Sequence, residues 1–291
     1  MAAAAPDRAH AATPPASWGG SRNHVALGDS YASAPGVADQ IDAVCQRSSR
    51  NYPSLVARLR HARLADVTCA GATTSDLASD YHGRPPQLDA LKPGTDVVTL
   101  TIGGNDIGFS TVLKTCAQLT STDPVGAPCR AHYTEGGRDQ LAESVAATGT
   151  QVANVLDAVR RRSPHAKILL VGYPSLFPDD GTGCTSPEVP FAAGDFLYLR
   201  DTTKVLNTML ADRAKQGGAT FVDTYTPTIG HDMCRPAGVR WIENLAPSDQ
   251  AAAAHPTAAG EEAMAEAVTR ALAKCPRPTN LAVSVEVMRR R

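Results

Sequence analysis

The chain has 291 residues, enough for one large domain with a full core or at most two small ones. Its 28 basic and 29 acidic residues leave a formal net charge of −1. Such a balance gives no long-range field that would gather nucleic acid or anionic lipid, so we expect no nucleic-acid partner. No stretch approaches the roughly 20 apolar residues needed to span a bilayer, so we expect no integral membrane span.

Residues 1–21 are Ala- and Pro-rich and poor in aromatic and β-branched residues, which predicts a disordered leader or the remnant of a signal peptide. Ala9-His10-Ala11 resembles the small-residue end of such a peptide. We expect the folded domain over 22–275 and a peripheral C-terminal tail over 276–291.

Hydrophobic periodicity predicts the elements that follow. Short apolar or β-branched runs predict strands, and apolar residues at helical spacing predict helices. The predicted elements are, in chain order, a strand over 24–27, a helix over 52–64, a strand over 97–102, a helix over 141–159, a strand over 167–172, a helix over 197–214, a strand over 220–222 and a helix over 257–275. Two stretches without clear periodicity, 115–137 and 177–195, are interpreted as long loops.

Strands alternating with helices predict a single α/β domain with a mostly parallel central sheet flanked by helices. In such sheets, sites form beyond the carboxyl ends of the strands. Polar segments directly follow three of the predicted strands, and glycine gives the backbone conformational freedom at these points. These are Gly28-Asp29-Ser30, Gly103-Gly104-Asn105-Asp106 and Tyr173-Pro174.

The spacing of the cysteines indicates the redox state of the cellular compartment in which the protein works. Seven are present, none in a C-x-x-C pair and none with histidine at zinc-finger spacing, which argues against a structural metal site. Disulfides or buried thiols remain, and the scatter of cysteines through Gly- and Pro-rich loops favours disulfides and an oxidising compartment. Both long loops contain cysteine, so we expect disulfides to pin them.

Two early segments carry candidate chemistry. In Gly28-Asp29-Ser30-Tyr31, the serine follows a strand on a glycine turn, so its hydroxyl can be presented at the sheet edge. Ser30 could instead cap a helix, and the two roles are compatible because a serine at a helix N-terminus also offers its backbone N–H to an oxyanion. In Ala70-Gly71-Ala72-Thr73-Thr74, Gly71 either lets a backbone N–H approach a ligand or forms a plain turn.

Two later segments complete the set. Asn105, directly after a predicted strand, can offer its side-chain amide to a developing oxyanion, or it can occupy a turn. His255-Pro256-Thr257 precedes the last predicted helix. A lone histidine is more often structural than catalytic, but the run from Ala251 to Ala254 leaves His255 as the only group there able to do chemistry.

These four segments, in this order and at these spacings, resemble the four blocks of the SGNH (GDSL) hydrolases, over about residues 23–275. Further stretches are similar to the extracellular actinobacterial lipase and phospholipase branch of that family. They are Asn51-Tyr52-Pro53, Asp66-Val67-Thr68-Cys69, Ala193-Gly194-Asp195, Tyr198-Leu199-Arg200 and Arg240-Trp241-Ile242-Glu243.

The resemblance implies the SGNH-hydrolase fold, a flavodoxin-like three-layer sandwich. It also implies a secreted serine carboxylic-ester hydrolase, a lipase or esterase, that works through a Ser-His dyad and an acyl-enzyme intermediate. Ser30 is then the nucleophile and His255 its base, while the N–H of Ser30, the N–H of Gly71 and the Asn105 side chain form the oxyanion hole. No cofactor is implied, the substrate is a small-molecule or lipid ester, and nothing requires more than a monomer.

The sequence departs from the family pattern near the histidine. Many members carry an aspartate three residues before it, where this chain has Ala252. Relatives in this branch use a backbone carbonyl instead, so the resemblance implies that the carbonyl of Ala252 or Ala253 accepts from the Nδ1–H of His255, with the nearby Asp249 as a possible substitute. Thr257 stands where the family usually has asparagine, and it can still cap the final helix.

The resemblance also implies the disulfides Cys45–Cys69, Cys116–Cys129 and Cys184–Cys234, which leaves Cys275 unpaired.

Three other functions are alternatives to the lipase or esterase. A carbohydrate O-deacetylase uses the same serine chemistry, although an aromatic content of 5% gives few sugar-stacking platforms. A catalytically silent binding protein on the same scaffold is the second, and a peptide hydrolase is the third. No G-x-S-x-G elbow, H-E-x-x-H zinc motif or P-loop occurs in the chain.

Overall fold

A parallel sheet of five strands forms the centre of the molecule. The computed structural model describes residues 22–246, 248 and 250–274. The strands are β1 Asn23–Gly28, β4 Arg63–Asp66, β5 Val97–Thr101, β6 Lys167–Val171 and β7 Thr220–Val222, and a small antiparallel hairpin pairs β2 Gln40–Asp42 with β3 Arg47–Ser48. The order in the sheet is β4-β1-β5-β6-β7, which confirms the predicted α/β class.

Helices connect the strands. Within the described residues they are α1 Ser30–Ser33, α2 Tyr52–Arg60, α3 Phe109–Leu119, α4 Pro128–Tyr133, α5 Gln140–Arg162, α6 Phe196–Gln216 and α7 Ala258–Lys274. None of the helices in the described residues is long and apolar enough to cross a membrane.

The strands bury both faces of the sheet, which gives three layers. Val98 and Leu100 of β5 pack in one core cluster with residues of α3, α5 and α6. Val97, the neighbour of Val98, packs in a second cluster with residues of α2 and α7. Successive side chains of a strand point to opposite faces, so this alternation places the two groups of helices on opposite sides of the sheet.

The order of the strands creates a crevice where a site can form. From β1 the chain runs to β4 on one side, and from β5 it runs to β6 on the other. The connections leaving β1 and β5 therefore diverge, which is the arrangement in which open α/β sheets bind ligands at the carboxyl ends of their strands. Gly28 and Thr101 are register partners at these two ends.

The helix predicted over 52–64 is wrong at its C-terminal end, where the structure has a strand. The helix predicted over 52–64 ends at Arg60, because His61 takes a left-handed conformation with φ of 50° and starts a turn into β4. The strand β4 was missed because it lies at the sheet edge, where its residues are exposed or only half-buried and lack an apolar run.

The stretch 115–137 is largely helical rather than a long loop. The second half of α3 and all of α4 fall within it, and a short 3₁₀ turn covers Glu135–Gly137. The helices were missed because α4 spans only six residues and α3 begins upstream of the stretch. The stretch 177–195 has no regular element except the 3₁₀ turn Ala193–Asp195. The predicted leader, the tail and Cys275 lie outside the described residues.

Candidate active site

The turn after β1 places Ser30 at the carboxyl edge of the sheet. Gly28 has a φ of 142°, and a Cβ there would overlap the carbonyl oxygen of Thr101, so only glycine fits between the two strand ends. Asp29 is the N-cap of α1 and accepts from the Tyr31 N–H, which makes Ser30 the first residue of the helix. The prediction that Ser30 could cap a helix is therefore wrong, because Asp29 holds that position.

His255 reaches Ser30 from the segment before α7. Its Nε2 lies 2.7 Å from the Ser30 Oγ, although the two residues are 225 positions apart in the chain. Its Nδ1 lies 2.8 Å from the carbonyl oxygen of Ala253. Because a carbonyl oxygen can only accept, Nδ1 carries the proton, and Nε2 is left to accept from the serine hydroxyl.

Of the two carbonyls expected to orient the imidazole, Ala253 is the one in contact with it. The Ala252 carbonyl accepts from the backbone N–H of His255 at 3.1 Å instead. Asp249 lies outside the described residues. Burial lowers the pKa of His255 below its ordinary 6.5, and the hydrogen bond to Ala253 only partly offsets this. A lowered pKa favours the neutral imidazole, the form that a base requires.

Asn105 lies in the turn after β5 and faces the same cavity as Ser30 and His255. Its Nδ2 donates to the carbonyl oxygen of Ala72 at 2.9 Å, which fixes the amide beside Gly71. Asp106 accepts from the Thr74 N–H at 3.1 Å and from the Thr74 hydroxyl, so the two turns are tied together. Among the described residues, no acceptor binds the second amide hydrogen of Asn105, which can therefore face an oxyanion.

Gly71 has a φ of 83°, a left-handed conformation that favours glycine. A Cβ there would also come within 2.6 Å of the Tyr81 hydroxyl. Among the described residues, no group accepts from the backbone N–H of Gly71 or of Ser30. Both donors are thus available to a ligand. Gly71 itself is not among the residues that line the cavity.

A buried carboxyl group that sequence reasoning missed lies beneath the site. Asp29 is 1% exposed, and the Tyr173 hydroxyl donates to its Oδ2 at 2.5 Å. The Gly104 N–H donates in turn to the Tyr173 hydroxyl at 2.8 Å. Burial raises the pKa of Asp29 to about 7 despite these hydrogen bonds. The sequence signal was that Gly28-Asp29-Ser30 and Tyr173-Pro174 each directly follow a predicted strand.

An apolar cavity of about 510 Å³ opens beside Ser30. Large aliphatic and aromatic side chains from α3, α6 and two loops line it: Phe109, Leu113, Leu176, Leu206 and Leu245. The polar groups Ser30, Asn105 and His255 line the same space. A few convergent polar groups in an apolar pocket of this size are typical of a binding site for a small molecule.

Three disulfides cross-link the described residues. They are Cys45–Cys69, Cys116–Cys129 and Cys184–Cys234, the same pairs that the family resemblance implies. Cys69 lies two residues before Gly71, and the Cys116–Cys129 bond joins α3 to α4.

Comparisons with known proteins identify the relatives of this chain. Lipase 2 of Streptomyces coelicolor is 41% identical over 265 residues, which cover 89% of this chain and 88% of the relative. The crystal structure of phospholipase A1 from Streptomyces albidoflavus superposes with a TM-score of 0.71 at 27% identity, covering 87% of this chain and 99% of that one. The extracellular lipase from Streptomyces rimosus gives 0.69 at 29% identity, covering 88% and 100%.

The model of the GDSL-like lipase/acylhydrolase family matches residues 26–263, which include Ser30, Gly71, Asn105 and His255. The match covers more than half of the chain, and the solved relatives share its central sheet. The chain therefore belongs to the GDSL-like lipase/acylhydrolase family and is an enzyme of the ester-hydrolase class.

Proposed function

We propose that this protein is a secreted lipase or esterase that cleaves carboxylic esters through a Ser30–His255 dyad and a covalent acyl-enzyme. The observation that supports the dyad most directly is the 2.7 Å contact between Ser30 Oγ and a His255 ring whose other nitrogen is held by the Ala253 carbonyl. A nucleophile within hydrogen-bond reach of a base, which is itself oriented by a third group, is the arrangement that covalent acyl transfer requires.

Acylation follows from this arrangement. Ser30 Oγ attacks the ester carbonyl carbon while its proton passes to His255 Nε2. The tetrahedral intermediate collapses, the bond from the carbonyl carbon to the alcohol oxygen breaks, and Nε2 returns the proton to the leaving alcohol. Proton transfer by a positioned histidine contributes typically about 100- to 10,000-fold in rate.

The negative charge of the tetrahedral intermediate needs donors that are already in place. The backbone N–H groups of Ser30 and Gly71 and the side-chain amide of Asn105 are our candidates. Both backbone donors lack an acceptor among the described residues, and the Asn105 amide is fixed by Ala72. One such donor is worth about 3 to 4 kcal/mol in the transition state.

Deacylation repeats the chemistry with water in place of serine. Water gives its proton to His255 Nε2 and attacks the acyl carbon. The bond to Ser30 Oγ then breaks, and Oγ recovers the proton from the imidazole. The products are the free acid and the original enzyme, so no cofactor enters the balance.

The apolar cavity supports an acyl chain as the part of the substrate that is bound. Polar side chains such as Lys114, Gln118 and Thr203 also line the cavity, but none of its five large apolar side chains can hydrogen-bond to a sugar: Phe109, Leu113, Leu176, Leu206 and Leu245. Burying methylene groups against such side chains contributes about 0.8 kcal/mol each. We therefore place fatty acyl esters ahead of acetylated carbohydrate as the substrate class.

Secretion is supported by the three disulfides, which form and persist in oxidising compartments. A solved relative from Streptomyces rimosus is described as an extracellular lipase. Expression of the full gene with separation of cells from medium tests this, because secretion predicts oxidised enzyme in the medium and a mature N-terminus that peptide sequencing identifies. Enzyme found only inside the cells with free thiols would contradict it.

The function is tested by hydrolysis of p-nitrophenyl esters from acetate to palmitate. Wild type, Ser30→Ala and Ser33→Ala are compared side by side. Ser33 is a matched control because it lies on the same short helix, is buried, and has a hydroxyl with no partner among the described residues. We expect Ser30→Ala to lose at least a thousandfold in kcat and Ser33→Ala to stay within twofold of wild type.

The chain-length series separates the competing functions. A maximum among the longer acyl chains supports a lipase or esterase with an acyl pocket, whereas a sharp maximum at acetate would favour a deacetylase. Equal turnover by Ser30→Ala and wild type would refute serine catalysis. No turnover of any ester by folded wild type would favour the silent binding protein.

A further inference from the structure

The catalytic histidine has an unusual support. Among the described residues, the only group that contacts the Nδ1 of His255 is the Ala253 carbonyl, and no carboxylate touches the ring. The direction of the imidazole therefore depends on the backbone path of residues 253–255. A backbone shift of even a fraction of an ångström here would move Nε2 away from Ser30.

That backbone path includes a conformation that alanine resists. Ala254 has a φ of 61°, in the left-handed region that L-residues other than glycine, asparagine and aspartate rarely adopt. Besides the local bond from the His255 N–H to the Ala252 carbonyl, three hydrogen bonds to distant residues hold the segment in place. The Ala254 N–H donates to the Glu243 carbonyl at 3.1 Å, the Glu243 N–H donates to the His255 carbonyl at 2.9 Å, and the Tyr31 hydroxyl donates to the Ala254 carbonyl at 2.6 Å.

Of these bonds, the one from Tyr31 links the two halves of the dyad. Tyr31 directly follows Ser30 in α1, and its own N–H is fixed by the Asp29 carboxyl group. Its ring centroid lies 5.0 Å from that of His255, and a second contact at 5.0 Å sets it edge-on to Tyr173. The side chain is only 7% exposed. The buried Tyr31 side chain therefore connects α1, which carries Ser30, to the segment that carries His255.

We propose that Tyr31 is a positioning residue, whose hydroxyl holds the Ala254 carbonyl and thereby aims His255 at Ser30. It does not exchange a proton with the substrate. Burial keeps the pKa of its phenol above the ordinary value of 10, so the hydroxyl remains a donor across the working range of an esterase. The inference rests on the proposed Ser30–His255 chemistry and adds to it a side chain that fixes the backbone segment whose Ala253 carbonyl orients the imidazole.

A purely structural role for Tyr31 makes a different prediction. A tyrosine that only fills the core would lose stability on truncation of its hydroxyl but would leave the chemical step alone. Tyr225 provides the matched control, since it is 8% exposed and its hydroxyl is also hydrogen-bonded, to Asp179 at 3.0 Å, outside the cavity beside Ser30.

The test compares Tyr31→Phe, Tyr225→Phe, Ser30→Ala and wild type with a p-nitrophenyl ester near the optimal chain length. We expect Tyr31→Phe to lose at least tenfold in kcat with KM within twofold, because the substrate contacts are kept while the base is misaligned. The second-order rate of Ser30 modification by a fluorophosphonate is expected to fall by a similar factor. Tyr225→Phe should keep kcat within twofold, whatever it loses in thermal stability.

Rates are expressed per folded molecule, counted from the near-ultraviolet circular dichroism amplitude at the assay temperature, so that partial unfolding does not imitate the effect. A Tyr31→Phe enzyme with kcat and fluorophosphonate rate within twofold of wild type would overturn the proposal. An equal loss in Tyr225→Phe would overturn it as well, since the effect would then be structural. Retained turnover in Ser30→Ala would instead refute the proposed function.

Discussion

At the scale of single residues, the site replaces the usual carboxylate with backbone. His255 is oriented by the Ala253 carbonyl and donates nothing to an acid among the described residues. The four short motifs allowed Ser30, Gly71, Asn105 and His255 to be predicted from sequence. The choice between Ala252 and Ala253 was not available there, because it depends on the backbone path of this segment, which includes a φ of 61° at Ala254.

The contribution of Asn105 is tested by Asn105→Ala. We expect kcat to fall about 100- to 1,000-fold with little change in KM, because an oxyanion donor acts on the transition state more than on the bound ester. Steady-state kinetics on one p-nitrophenyl ester checks this. A rise in KM at constant kcat would assign Asn105 to substrate binding instead.

Asp29 supplies a prediction on stability and pH. Its pKa of about 7 in the folded protein exceeds the ordinary 3.8, so the folded state binds more protons between these values than the unfolded state does. Stability from this group is therefore fully present below pH 4 and is lost as pH rises through 7, by at most about 1.4 kcal/mol per pH unit. Asn cannot titrate, so Asp29→Asn removes this dependence.

Melting temperatures of wild type and Asp29→Asn, measured from pH 4 to pH 8, check the sign. We expect the melting temperature of Asp29→Asn to increase relative to that of wild type as the pH rises. Asp212→Asn, which removes an exposed carboxylate, controls for the general effect of a lost charge. Parallel curves for Asp29→Asn and wild type would mean that Asp29 is ionised throughout the range.

Among the secondary-structure elements, α3 differs most from the sequence prediction. Its residues Phe109 and Leu113 line the cavity, and the disulfide from Cys116 ties it to α4. Asp195 caps α4 by accepting from the backbone N–H of Cys129 at 3.0 Å. These long-range contacts stabilise the helices over 115–137, where the sequence lacks hydrophobic periodicity. For this reason a single sequence predicts a loop there, although it predicts the longer helices α5 and α6 correctly.

Removal of the Cys116–Cys129 bond, by serine at both positions, tests the role of α3. The chain-entropy model predicts a loss of about 3 kcal/mol in unfolding free energy for a loop of this length. We further expect the ratio of kcat/KM for long to short acyl esters to fall, since the cavity wall loosens. Serine at Cys184 and Cys234 is the control, with a larger stability loss expected from its separation of 50 residues and an unchanged ratio. An unchanged ratio in both variants would mean that the anchoring of α3 does not determine the chain-length preference.

At the scale of the whole molecule, the sheet order explains why a site exists. The connections from β1 and β5 leave in opposite directions, and the loops that bear Ser30 and Asn105 meet at the crevice between them. Alternation of strands and helices allowed this architecture to be predicted. The edge strand β4 and the approach of residue 255 to residue 30 depend on tertiary packing, for which a single sequence holds no local signal.

We propose that Ser30 is a nucleophile made reactive by a histidine 225 residues away. Incubation with a fluorophosphonate, followed by intact mass and peptide mapping, tests it most directly. We predict one adduct per chain, on Ser30, formed by wild type and Ser33→Ala at equal rates and slowed at least a hundredfold in His255→Ala. An adduct on another residue, or labelling of Ser30 at an unchanged rate in His255→Ala, would contradict the account.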